Sequence, residues 1–232
     1  MRSTQNSAAD AAAVPRIVLV PGLGLDERSS ARVRQRIRGT VLILPGMGAR
    51  RHVGTLDALV GELLAALPFH PVVLVGHSQS CQVVVAAAEA DTRVVGVLLL
   101  GPTTDPRMRR PVVLGWRWLR TAVREPWWQG PLVLAQWLRT GPRAMRALWR
   151  QLAADRIDVR LRRVTVPVVV ARGTADALCP HDWAVHLAAC APRGQLVELP
   201  RAAHMTPQSR PDDVARLVAE LVTSACGRAG PG

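Results

Sequence analysis

Six apolar runs, each stopped by a glycine or proline turn signal, constrain this chain more than any other feature. Arg16–Val20 (RIVLV) and Thr40–Leu44 (TVLIL) each precede Pro-Gly, and Val72–Val75 (VVLV) precedes Gly76. Val94–Leu100 (VVGVLLL) runs into Gly-Pro, Val166–Arg172 (VPVVVAR) into Gly173, and Gln195–Leu199 (QLVEL) into Pro200. Runs without polar alternation belong to strands covered on both faces, which is the environment of a parallel sheet. Helical patterns separate them. Thr55–Leu67 places Leu56, Leu59, Val60, Leu63, Leu64 and Leu67 at spacings of three and four. Cys81–Ala90 is rich in small residues and suited to close packing, and Asp212–Ser224 opens with two acids suited to a helix N-terminus. Strands alternating with helices predict an α/β fold with a mostly parallel, doubly wound sheet.

One stretch breaks the alternation. Residues 105–163 hold no strand pattern but contain six of the seven tryptophans, and Pro111, Pro126, Pro131 and Pro142 divide them into short helical segments. In one of these, Met145, Leu148, Trp149 and Leu152 recur at helical spacing. The expected organisation is a core of residues 16–104 and 164–226 with a helical lid inserted at 105–163. Residues 1–15 read as a flexible lead and 227–232 as a frayed tail.

Within 232 residues, roughly half of them apolar, one well-buried domain is the natural count. No apolar run approaches the ~18 residues that span a bilayer, and the N-terminus lacks the apolar stretch of a signal peptide. Cys81, Cys179, Cys190 and Cys226 are scattered without CxxC spacing, which suggests neither a zinc site nor a disulfide framework and fits a reducing, cytoplasmic setting. The net charge is +13, carried entirely by arginine with no lysine. That skew matches the codon usage of a GC-rich bacterial genome, so the basic balance is weak evidence for an anionic partner.

The chemistry centres on Gly76-His77-Ser78-Gln79-Ser80, where an apolar strand runs directly into a helix. This resembles the G-x-S-x-G nucleophile elbow of the α/β-hydrolase superfamily, with serine in place of the last glycine. A serine hydroxyl needs a base, and the base needs an orienting acid. Both follow in the superfamily's chain order. Gly173-Thr174-Ala175-Asp176 resembles its G-x-x-D turn, and Pro200-Arg201-Ala202-Ala203-His204 resembles its catalytic-histidine loop. The resemblance spans about Arg16 to Ser224. It implies a serine hydrolase with Ser78 as nucleophile, Asp176 as acid and His204 as base, acting on a carboxylic ester or thioester without metal or organic cofactor. It also implies an oxyanion hole from the N–H groups of Gln79 and Leu23, the latter in Pro21-Gly22-Leu23-Gly24 where the family usually carries His-Gly. A second Pro-Gly turn, Pro45-Gly46-Met47-Gly48, competes for that role.

Other readings stay open at this level. Ser78 could be an ordinary turn residue, and Asp105 is the substitute for Asp176. His77 reads as a hydrogen-bonding or packing residue, Cys81 as a small buried hydrophobe, and His52, His70, His181 and His186 as structural or surface groups. Trp116, Trp127, Trp128 and Trp137 are the expected substrate-binding residues of an apolar or aromatic pocket. Residues 105–163 carry fourteen arginines against four acids. Arginine interleaved with tryptophan could mark a contact with a membrane surface or an acyl carrier; nothing resembles a nucleic-acid-binding fold. The same residues would serve an acyltransferase, or a non-catalytic binding protein of this fold.

Overall fold

The computed structural model describes residues 14–226. Residues 1–13 of the expected lead, and the whole of the expected tail, lie outside the described residues. The six runs form β1 (Arg16–Val20), β2 (Gly39–Val41), β3 (Val72–His77), β4 (Val94–Leu100), β5 (Val168–Gly173) and β6 (Gly194–Leu199). They make one sheet in the order β2-β1-β3-β4-β5-β6, with every pairing parallel. β2 is shorter than its apolar run. It pairs only with β1, and Leu44 leaves the sheet to enter the core instead.

Alternate residues of each central strand serve two cores, which is why the runs lack polar alternation. On one face Val18, Leu74, Leu99 and Val170 pack with α2 (Leu56–Ala66), α3 (Ser80–Ala90), α7 (Ile157–Leu161) and α8 (His181–Cys190). On the other, Leu19, Val73, Leu98 and Val169 pack with Val33 of α1 (Ala31–Arg34) and with Val214, Leu217, Val218 and Leu221 of α10 (Pro211–Cys226). Those four positions of α10 follow helical spacing, so a single stripe closes that face. The short α9 (Thr206–Ser209) precedes it.

Between β4 and β5 the chain is helical throughout its regular structure. A 3-10 turn at Pro106–Arg109 leads to α4 (Pro111–Ala122), α5 (Gln129–Thr140), α6 (Pro142–Leu152) and α7. Proline opens both α4 and α6, where its missing N–H has no helical acceptor to lose. Leu148 and Leu152 of α6, with Ile157 and Leu161 of α7, are fully buried in the main core, so the later part of this insertion is anchored to the sheet layer. No helix among the described residues is long and apolar enough to cross a membrane.

Strand order reverses between β1 and β3: β2 lies on one side of β1, and β3 to β6 extend from the other. At such a switch point the connections leave in opposite directions and open a crevice beyond the carboxyl ends of the strands. The loop after β1 and the elbow after β3 flank that crevice.

Candidate active site

The elbow is built by close approach. A Cβ at Gly76 would fall 2.6 Å from Val84 Cγ2 and 3.1 Å from the Cys81 Cα, so only glycine lets α3 descend onto the end of β3. Ser78 takes a positive φ of 58° and its N–H donates to the Leu100 carbonyl at 2.8 Å. A non-glycine residue in that region is strained and persists only where its surroundings hold it. Ser80 does part of the holding. Its hydroxyl accepts from the His77 N–H at 2.7 Å and lies 2.6 Å from the Val20 carbonyl, so the residue standing in for the usual glycine ties the elbow to the end of β1.

His204 and Asp176 meet across 28 residues of sequence, with His204 Nδ1 2.7 Å from Asp176 Oδ2. The other oxygen of Asp176 accepts the N–H groups of Leu178 (2.8 Å) and Cys179 (3.2 Å), and its side chain is fully buried. Arg172 clasps the same loop, donating to the carbonyls of Cys179 (2.7 Å) and Asp176 (3.1 Å). Burial by itself lowers the pKa of His204, but the charge and hydrogen bond of Asp176, with the charge of Glu125, outweigh it and leave the imidazole raised. With Nδ1–H committed to Asp176, Nε2 is the nitrogen left to exchange protons.

Asp105 is engaged elsewhere. Its carboxylate pairs with Arg107 at 2.7 Å and Arg117 at 2.6 Å. His77 is buried and its Nε2–H donates to the His204 carbonyl at 3.1 Å; burial, then the neighbouring His204 charge, pushes its pKa down to about 3. Cys81 is fully buried, and burial pushes the pKa of its thiol up, away from the thiolate form. His181 faces Glu198 and His186 faces Asp158, and no metal-binding cluster occurs among the described residues.

Ser78, Gln79, Leu23 and His204 all line one cavity of about 760 Å³. Among the described residues, neither the Leu23 nor the Gln79 N–H donates to a backbone acceptor. The competing Pro-Gly turn is occupied: Met47 is buried in the core and its N–H donates to Leu44, while Gly46 accepts the Gly24 N–H at 2.8 Å and so supports the first turn.

The tryptophan expectation divides. Trp127 and Trp137 line the cavity, but Trp116 and Trp128 do not. Trp116 points outward from α4, 63 % exposed, and Trp128 packs beneath the Arg32 guanidinium, 4.3 Å from its ring centroid. Trp118 and Trp149 take their places, with Trp118 tilted against Trp137 at 5.9 Å. In α4, Pro111, Leu114, Gly115, Trp118 and Ala122 line the cavity, Trp118 remaining 44 % exposed, while Val112, Trp116 and Leu119, with Val123 just past the helix, face out. Both sets follow helical spacing and both are largely apolar, so periodicity alone does not choose between them.

The insertion also holds each loop of the site. Gln136 Oε1 accepts the Asp26 N–H (2.8 Å) and Thr140 donates to the Gly24 carbonyl (3.0 Å), fixing the loop after β1. Thr121 accepts the Ala177 N–H (3.0 Å) beside Asp176, and Glu125 accepts the Met205 N–H (2.7 Å) beside His204. No sequence motif announces these four residues.

A model of the alpha/beta hydrolase family matches residues 17–217, and the chain belongs to that family. Solved structures of similar fold include a hydrolase from Oleispira antarctica, at 14% identity with 90% of this chain and 91% of that one covered and a TM-score of 0.74. The enol-lactonase from Burkholderia xenovorans LB400 is 20% identical over 91% of this chain and 92% of its own, with a TM-score of 0.71. A thermophilic esterase from Thermogutta terrifontis is 20% identical over 91% and 90%, with a TM-score of 0.66. At such identities the likeness concerns the fold. No curated protein matches the sequence.

Proposed function

We propose that this hydrolase-family chain is a serine hydrolase that cleaves a carboxylic ester or thioester of a small to medium apolar substrate. The observation that carries the reading is the buried contact of His204 Nδ1 with Asp176 Oδ2, with His204 and the strained Ser78 opening on one apolar cavity. Ser78 Oγ attacks the acyl carbon while His204 Nε2 takes its proton. The oxyanion is met by the N–H groups of Leu23 and Gln79, the second at the N-terminus of α3. Collapse of the tetrahedral adduct expels the alcohol or thiol, which receives the proton from His204, and leaves an ester on Ser78. Water, deprotonated by His204, then attacks that ester; release of the acid returns the proton to Ser78. Asp176 keeps the proton on Nδ1 and stabilises the imidazolium.

Fluorophosphonate labelling, read by intact mass, tests the reading. One adduct per chain is expected, lost in Ser78→Ala; a folded native chain that takes no label would refute it. An acyltransferase would label equally, and is distinguished by ester rather than acid product when an alcohol is added.

We also propose that the outward face of α4 rests on an anionic lipid surface. Val112, Trp116, Leu119 and Val123 are exposed along one side of the helix, and Trp127 at the cavity rim is 87 % exposed. Exposed Arg110, Arg120 and Arg124 flank this face. Apolar side chains bordered by guanidinium groups suit the boundary between acyl chains and acidic headgroups.

A further inference from the structure

The cavity beside Ser78 is walled mainly by Leu, Met, Val and Trp side chains, yet five polar residues also line it, each carrying buried side-chain atoms that have no hydrogen-bond partner among the described residues. These are both amide atoms of Gln79, Thr103 Oγ1, Glu125 Oε2, both amide atoms of Gln129, and Trp137 Nε1. Gln79 and Gln129 are each 1 % exposed. A buried polar atom without a partner is costly, and several of them on residues around one apolar cavity suit a ligand carrying matching groups.

Glu125 stands out in a chain with 30 arginines. The buried carboxylates of Asp26, Asp105 and Asp158 each hold an arginine, and Asp176 holds His204. Glu125 uses Oε1 to accept the Met205 N–H, and the backbone N–H and charge of the adjacent His204 also act on the carboxylate, but among the described residues no arginine pairs with it and Oε2 makes no hydrogen bond of normal geometry. It lies in the turn between α4 and α5, four residues before Gln129. Its anchor, Met205, directly follows the proposed base.

We propose that Glu125 Oε2, with Gln129, reads a hydrogen-bond donor on the leaving-group half of the substrate: a hydroxyl or a protonated amine on an otherwise apolar, aromatic-sized body. This rests on the serine-hydrolase reading above, because His204 must reach the departing atom and Glu125 is bonded to the residue beside it. A donor at Oε2 would offset the desolvation that raises the Glu125 pKa. Trp118 and Trp137 would pack against the apolar body, and a cationic donor would gain further from their ring faces. A plain alkyl or acceptor-only leaving group would leave Oε2 unpaired and is selected against.

The test uses four matched butyrate esters: of 3-phenylpropan-1-ol and of its 4-hydroxy, 4-aminomethyl and 4-methoxy derivatives. The native enzyme is expected to favour the hydroxy or aminomethyl ester over the methoxy and parent esters by about tenfold or more in kcat/KM. Whichever of the two leads identifies the donor as neutral or cationic. Glu125→Gln keeps an acceptor for Met205 but places an amide N–H₂ at the second position, so the preference should turn toward the methoxy ester. Rates within twofold across the series, unchanged by Glu125→Gln, in protein that labels at Ser78 would overturn this proposal and leave the hydrolase reading intact. Absence of labelling would fail the hydrolase reading instead. Binding of the four free alcohols to Ser78→Ala, followed by tryptophan fluorescence, still reads the preference; equal affinities would overturn the proposal there too.

Discussion

His77 donates from Nε2 to the backbone carbonyl of His204 at 3.1 Å, so the residue preceding the proposed nucleophile holds the loop that carries the proposed base. The two rings lie 5.1 Å apart, with His77 kept neutral by burial. The elbow after β3 and the loop after β6 belong to strands three positions apart in the sheet. This hydrogen bond sets their register above it.

His77 should make the protein acid-sensitive. Its imidazole takes a proton near the ordinary 6.5 when unfolded but only at about 3 in the fold. Between those values the unfolded chain binds more protons, so stability falls as pH falls. The slope is about 1.4 kcal/mol per pH unit for this one group. His204, raised in the fold, is protonated in both states below its ordinary range and adds nothing in that window. Urea unfolding at pH 5.5, 4.5 and 3.5 should therefore show a shallower decline in His77→Gln. Parallel declines would contradict the assignment.

Gly101 is a second constraint on His204. It follows β4 with φ of 54°, and a Cβ there would lie 3.0 Å from both Asp176 Oδ2 and His204 Nδ1. Gly101→Ala should push the pair apart and strain the backbone, at about 1–3 kcal/mol in stability with a fall of at least a hundredfold in kcat. Retained kcat in the folded variant would mean that the pair tolerates the methyl group.

The rate should depend on pH through His204. The neutral imidazole is the proposed base, and its raised pKa should place the acidic limb of kcat/KM above the ordinary histidine range. Asp176→Asn removes both the charge and the acceptor, so the limb should move to lower pH while kcat falls by about 10⁴-fold. An unmoved limb would assign it to another group.

Trp118 and Trp116, two positions apart on α4, should behave oppositely. Trp118→Ala opens the cavity wall and should raise KM for phenyl esters several-fold more than for acetates. Trp116→Ala, on the outer face, should leave both unchanged. Equal effects of the two substitutions would contradict the orientation of α4.

For vesicles, the outer face gives the reverse ranking. The native chain should sediment with phosphatidylcholine vesicles containing 30 mol % phosphatidylglycerol and much less with phosphatidylcholine alone. Trp116→Ala with Leu119→Ala, or Arg120→Gln with Arg124→Gln, should weaken that binding several-fold, and added salt should weaken it further. Binding indifferent to both pairs would remove α4 as the contact.

Local pattern carried much of this molecule. Strands such as Val72–His77 are legible because burial on both faces leaves an unbroken apolar run, and the chain must turn where glycine or proline follows. The order Ser78, Asp176, His204 is legible because each follows a strand and all the strands are parallel, so their carboxyl ends share one edge. The sequence thus determined the sheet, its two-sided core and the edge on which the chemistry gathers. Tertiary structure decided what local pattern leaves degenerate. Both faces of α4 are apolar, so only its docking puts Trp118 on the cavity wall and leaves Trp116 off it. Two Pro-Gly turns look alike until the core takes Met47 and the cavity takes Leu23. Gln136 finds Asp26 across 110 residues and Glu125 finds Met205 across 80; such pairings leave no periodicity, because only the folded chain brings the partners within hydrogen-bonding distance.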